Sequence, residues 1–277
     1  MSVPYFYRNI NSKFISIEGE EGSEFLQNLI TNDINTCKND NIIYACLLTP
    51  QGKFLSDFFI FRMNDKFIIE THSLFYENLI KKLKIYKLRS KIQINTINKL
   101  YSFTFFGEIS KDANTVVLNI DPRNKNIGNK IIHISSNPQL LNNYREISED
   151  EYHAILIKNL VPFSPYDLEE NKSLLLENNF DNLNSISWDK GCYVGQEITA
   201  RMKYRALIKK RVFALNAKSG SPKNQQLIIE NGKDLGKIIS VKNNLVLAML
   251  KIDFALKKID SKKPITTDDN LILDFII

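Results

Sequence analysis

The amino-acid sequence predicts an α+β fold built mostly of antiparallel sheets, on three observations. Apolar residues alternate over many short runs, as half-buried strands require. Turn residues separate those runs at hairpin distances. Helical spacing is confined to a few short stretches with recognisable start signals. The 277 residues carry 43% hydrophobic side chains, enough for a sizeable core in one large domain or two to three smaller ones. Lys and Arg exceed Asp and Glu by 37 to 31. That balance attracts anions, but the wealth of Lys, Asn and Ile favours compositional drift in a biased genome as its source.

In chain order, KFISIE at residues 13–18 reads as a strand. A helix follows from Gly22, with Ser23 as the expected N-cap and Phe25, Leu26, Leu29 and Ile30 on one face. Thr31-Asn32-Asp33 stops it. IIYACLLT, KFLSDFFIFRM and KFIIE form a three-stranded meander, turning at Pro50-Gln51-Gly52 and Asn64-Asp65. A helix from His72 to Leu88 buries Phe75, Leu79 and Leu83, and its basic exit (Lys81, Lys82, Lys84, Lys87, Arg89) suits the negative end of the helix dipole. Four β runs fill residues 92–136, with Asp121-Pro122-Arg123-Asn124 as a turn among them. Ser148 and Glu151 make a capping box that opens a helix ended by Pro162 and Pro165. Asp167–Asn184 reads as an irregular loop, and a helix is expected from about Ile198 to Tyr204. From Lys209 onward KRVFALNA, QLIIENG, GKIISV, NLVLAMLKI and LILDFII form a small barrel or sandwich, with a boundary near Arg205–Lys210.

Cys37, Cys46 and Cys192 lack metal-finger spacing, and His72, His133 and His153 are scattered, so no metal site is expected. An odd cysteine count suits a reducing compartment. The N-terminal residues read as neither a secretory nor an organelle leader, and no apolar run nears the ~20 residues of a membrane helix. A cytoplasmic protein without a membrane partner is expected.

WDKGCYVGQE, Trp188–Glu197, is the least ordinary stretch. Cys192 has Lys190 two residues before it, a charge that favours a thiolate, and Gly191 and Gly195 on either side. A helix starting near Gly195 would add its positive end. Such a thiol could be a nucleophile, a redox switch, or one ligand of a cluster shared with another protein, since Fe–S clusters want about four thiolates.

KGCYVGQE followed by TAR resembles the signature of the YgfZ-type folate-binding proteins, a family that includes a mitochondrial iron–sulfur assembly factor and is related to the glycine-cleavage T-protein, an aminomethyltransferase. FLQNLITND, YACLLTPQGKFLSD, LLLENNFDN and GKDLGKIIS resemble further segments of the family in the right order. The resemblance implies a T-protein-like two-lobed folate-binding region over residues 1–204, split near 97, and a C-terminal β-barrel over 205–277. It implies a tetrahydrofolate or a derivative as cofactor, with Glu177 on the pterin donor edge, Tyr44 against the folate, and Thr31, Asn32 and Asp33 at the pocket mouth. Where the T-protein enzymes resemble GGxxDD, this chain has Ser56 in place of the first carboxylate and Asp57 at the second. A serine is a poor acid or base near neutral pH, which puts aminomethyl transfer in doubt.

The leading expectation is therefore a folate-dependent accessory factor for [4Fe–4S] proteins, partnered by iron–sulfur assembly proteins and client enzymes and supporting tRNA-modifying enzymes indirectly. Cys192 would be the essential thiol, assisted by Lys190. Gly191, Tyr193, Gly195, Gln196 and Glu197 would shape its loop, and Arg201 would meet a carboxylate or the folate tail. A folate-dependent C1 transferase using Asp57 is the alternative. Direct RNA binding through Lys81–Arg89 is not expected, because no RRM- or KH-type signature accompanies it.

Overall fold

The computed structural model describes residues 3–39, 41–205 and 207–276. The first sheet unit contains β2 (Ser12–Glu18), β3 (Ile42–Leu48), β4 (Phe54–Met63), β5 (Lys66–His72) and β6 (Gln93–Ile97), ordered β3-β4-β5-β2-β6 and antiparallel throughout. Two helices cover one face of it: α1 (Gly22–Gln27) and α2 (Ser73–Lys87). Leu26, Leu79 and Leu83 pack there against Ile15, Phe58 and Ile60. The helix-facing set alternates with Tyr44, Cys46, Phe59 and Phe61, which point into a second core on the opposite face, as a two-residue period dictates.

That second core is closed by a sheet ordered β10-β1-β7-β9-β8. Its members are β1 (Tyr5–Asn9), β7 (Tyr101–Phe106), β8 (Thr115–Ile120), β9 (Asn129–His133) and β10 (Arg145–Ile147). The pairing of β1 with β10 is parallel. Because β1 precedes the first sheet in sequence yet pairs with β7, the first 97 residues are not one spatial unit. Three short helices follow: α3 (Glu149–Lys158), α4 (Ser164–Asp167) and α5 (Gln196–Tyr204). Both bonds of the Ser148–Glu151 capping box are present at the start of α3.

The last sheet runs β12-β13-β14-β11-β16-β15, from β11 (Lys210–Ser219), β12 (Leu227–Glu230), β13 (Lys233–Lys242) and β14 (Leu245–Lys251) to β15 (Ile265–Thr266) and β16 (Ile272–Phe275). Its two edges approach each other, the Asp268 amide donating to the Ile229 carbonyl at 2.9 Å, so it forms a nearly closed barrel. Ile157 of α3 packs among Val212, Ile239 and Leu247 and joins the barrel to the rest.

Several local expectations need correction. The N-cap of α1 is Glu21, without a side-chain cap bond, so Ser23 lies inside the helix. The helix after the signature starts at Gln196, two residues before the expected Ile198. A helix unforeseen in the sequence, α6 (Ile252–Asp260), follows β14 and buries Ala255. The segment expected as an irregular loop, Asp167–Asn184, is irregular but folded inward, with Leu175, Leu176, Phe180 and Leu183 buried.

Candidate functional site

The site grows from the turn after α1. Thr31 is fully buried; its hydroxyl donates to the Ser185 carbonyl at 2.7 Å and accepts from the Cys46 amide at 2.9 Å. The Asn32 amide donates to the carbonyls of Tyr44 and Asn184, both at 2.8 Å. Asp33 accepts from the Asn35 amide. The Thr31 and Asn32 side chains thus tie the first sheet to residues 184 and 185, while Asp33 caps the turn that follows. Lys190 completes the knot: its Nζ donates to the carbonyls of Ile30 at 2.7 Å and Asn32 at 2.8 Å. Burial lowers its pKa to about 8, with Asp33 partly opposing the shift. The ammonium expected to favour a Cys192 thiolate is therefore engaged with this turn, and it fixes where the signature loop begins.

Beyond the clamp the loop is pinned twice. Tyr193 is buried, and its aromatic ring enters the second core. Gly195 takes φ +82°, and a Cβ there would lie 2.4 Å from the Thr49 carbonyl oxygen and 2.8 Å from Leu48 Cβ. Only glycine meets that geometry without strain. The hairpin turn presses on the same place, since a Cβ on Gly52 would lie 2.8 Å from Ile198 Cβ. Gly191 differs: its φ is not in the left-handed region and a Cβ would meet nothing within 4 Å. Between these anchors Cys192 is exposed, whereas Cys37 and Cys46 are buried. Cys192 lines a groove of about 690 Å³ with Tyr86, Gln196, Arg201 and Tyr204. Arg201 pairs with Glu197 one helical turn away, at 3.1 Å.

Asp57 lies elsewhere, in a cavity of about 50 Å³ between the two sheets. Its Oδ2 accepts from the Tyr44 hydroxyl and from Ser164 Oγ at 2.6 Å. Burial, with Asp57 adjacent, pushes the Tyr44 phenol well above its ordinary pKa, so it stays a donor. Around the cavity stand pairs that the sequence reading passed over. Lys130 Nζ meets Glu70 at 2.8 Å, both residues buried, and Arg123 meets Asp121 at 2.8 Å. Glu70 and Lys130 were visible as charges inside apolar strands, and Arg123 was read only as part of a turn. His72 Nδ1 accepts from the Leu74 amide, which leaves its proton on Nε2, and burial lowers its pKa. Ser56 is buried on the other phase of β4, with Phe58 and Ile60 toward the helices, and its hydroxyl has no partner among the described residues.

Of the residues expected at folate, only Asp57 lines this cavity. Tyr44 fills the core between Phe59 and Phe180, at ring distances of 5.2 and 5.9 Å. Glu177 is half-buried in a short turn; burial raises its pKa, while Lys53 and Lys210 pull it down. Among the described residues no cluster of three or more His, Cys, Asp or Glu could hold a metal, and no helix is long and apolar enough to cross a membrane.

Comparison with known proteins places this architecture. Residues 11–117 match the GCVT N-terminal domain, and residues 209–272 match the CAF17 C-terminal beta-barrel domain. A GCVT-like domain followed by a CAF17-type barrel fits the YgfZ-type proteins related to the T-protein. Among the chain's relatives is the iron–sulfur cluster assembly factor IBA57 homolog of Neurospora crassa, 30% identical, over 72% of this chain and 51% of that one. The Mycosarcoma maydis homolog is 28% identical, over 73% and 54%, and mouse IBA57 is 25% identical, over 86% and 75%. The chain thus spans about half the length of the two fungal relatives. The aminomethyltransferase T of the glycine cleavage system from Bartonella henselae shares the fold, with a TM-score of 0.73 over 99% of this chain and 85% of that one at 10% identity. The relatives are named as mitochondrial proteins, which overturns the expected cytoplasmic location.

Proposed function

We propose that this chain is an accessory factor in the assembly of [4Fe–4S] proteins, with Cys192 as the thiol that meets the cluster or its carrier. The observation that carries the reading is the placement of Cys192: exposed at a groove of about 690 Å³, on a loop clamped by Lys190 and Gly195, while both other thiols are buried. The names of its relatives support the same role. A thiolate is a good iron ligand, but one is too few, so a cluster at Cys192 would take its remaining ligands from a partner protein. The cluster is then cargo in transit. Loss of this step would lower tRNA-modifying enzymes that need such clusters.

Tetrahydrofolate is the ligand that kinship with the T-protein suggests. As arranged here, the expected residues do not form one pocket for it: about 50 Å³ at Asp57 compares with roughly 300 Å³ or more for small-molecule sites, and Glu177 does not line that cavity. The role proposed for Cys192 requires no folate. C1 transfer through Asp57 would need that cavity to open.

The test is aconitase activity in cells lacking the protein, with wild type, Cys192→Ala and Glu177→Ala returned at matched levels. Rescue by wild type and failure of Cys192→Ala is the expected result, and Glu177→Ala should rescue as wild type does, since the role proposed for Cys192 requires no folate. Full rescue by Cys192→Ala would remove the thiol from the mechanism.

A further inference from the structure

Two features flank Cys192 that the thiol itself does not explain. The first is apolar surface left in the open. Tyr86, Val194, Ala200 and Tyr204 line the groove. Tyr204 is 69% exposed, and Leu88, two residues from Tyr86, is 86% exposed. Leu88 also holds φ +45°, a value that disfavours a leucine. Exposed apolar area of this kind marks an interaction surface. The second feature is an excess of basic side chains, although Glu21 and Glu24 stand near Tyr86. Residues 81–91 hold six Lys or Arg and no acid, and they form the end and exit of α2, where Tyr86 sits. Arg201, Lys203 and Arg205 mark the end of α5. Glu197 is the acid among the groove residues, and Arg201 neutralises it, which leaves Arg205 as surplus charge in the lining.

We infer that this groove docks an acidic, apolar-anchored segment of a partner protein and so presents that partner to Cys192. The inference rests on the reading of Cys192 as a thiol that meets a partner. Charge complementarity selects the occupant: a segment carrying Glu or Asp beside one or two large apolar side chains satisfies both the basic rim and the open floor. Nucleic acid fits less well. The Lys203 ammonium lies 3.7 Å over the Trp188 indole centroid, so this ring is not a free platform for bases.

Thiol–disulfide exchange at Cys192 tests this without any cluster. The Cys192 thiolate attacks an activated peptide–thiopyridyl disulfide, forming a protein–peptide disulfide and releasing 2-thiopyridone. Three twelve-residue peptides are compared: Glu with Leu and Phe, Lys with Leu and Phe, and Glu with Gly. Cys192→Ser is the blank. The first peptide should react at least fivefold faster than either other at low salt, and the advantage should shrink in 0.5 M salt. Arg205→Glu with Lys87→Glu should abolish it, while the rate with a small neutral disulfide stays as in wild type. Equal rates for the three peptides would overturn the inference, as would a preference that survives the charge reversals. Stronger protection of Cys192 by a twelve-nucleotide RNA than by the acidic peptide would overturn it in favour of nucleic acid. Because the assay needs no iron, its failure leaves the assembly role standing, and failure of the aconitase test leaves the groove preference intact.

Discussion

Lys190 offers a measurable consequence of its burial. Its folded pKa of about 8 lies below the ordinary 10.5, so between those values the unfolded chain holds a proton that the folded chain has lost. Stability from this group therefore rises with pH across the window from 8 to 10.5 and is lowest below pH 8. Because the amine is partly solvated, the difference corresponds to at most roughly 3 kcal/mol, most of it gained between pH 7 and pH 10. The neutral amine keeps N–H groups for both carbonyls, so the hydrogen bonds to Ile30 and Asn32 survive the titration. Lys190→Met removes both the charge and the donors. At pH 7 its loss of two buried bonds, about 1–3 kcal/mol each, is largely offset by the relief of burying a cation. At pH 10 the offset has gone. Urea unfolding of wild type and Lys190→Met at pH 7, 8, 9 and 10 should show the stability gap between them widening by about 1–3 kcal/mol. A gap that stays flat would refute the argument, because it would mean that Lys190 titrates alike in both states.

Three further outcomes follow from the same geometry. Gly195→Ala should cost at least about 2 kcal/mol in urea unfolding, because φ is +82° and its Cβ would overlap the Thr49 carbonyl, whereas Gly191→Ala should stay within about 0.5 kcal/mol. Thiol labelling of the native protein at pH 7.5 should modify Cys192 and spare the other two: burial pushes the Cys37 thiol up to about 12 and raises Cys46 well above its ordinary value. Rapid labelling of two thiols would contradict this. Lys130→Met should destabilise by about 3–5 kcal/mol, since it strands the buried Glu70 carboxylate, and Lys130→Met with Glu70→Leu should recover most of the loss.

The parts of this molecule that could be read in advance are those whose signal is local. The meander of β3 to β5 follows from alternation and turn residues, and the Ser148–Glu151 cap from a four-residue pattern. What escaped is set by distant pairing. The strand β1 exists because Tyr5–Asn9 finds β7 about a hundred residues later and β10 beyond it, and nothing in YFYRN announces that. The loop at Leu175–Leu183 was read by its polar members, yet its apolar ones are what the core takes up. The signature itself divides in the same way. That Cys192 was unusual could be read from its neighbours, but the roles of those neighbours could not. Lys190 was placed beside the thiol because it is two residues away in sequence, and the fold sends its amine to Ile30 and Asn32, about 160 residues back. Glycines look alike in sequence, whereas Gly195 bears the close approach of Thr49 and Gly191 bears nothing. A motif thus names the residues that matter together, and the contacts each one makes far along the chain decide which reacts and which holds. By that criterion Cys192 is the thiol left exposed at the groove, and Lys190, Tyr193 and Gly195 are the groups that hold its loop there.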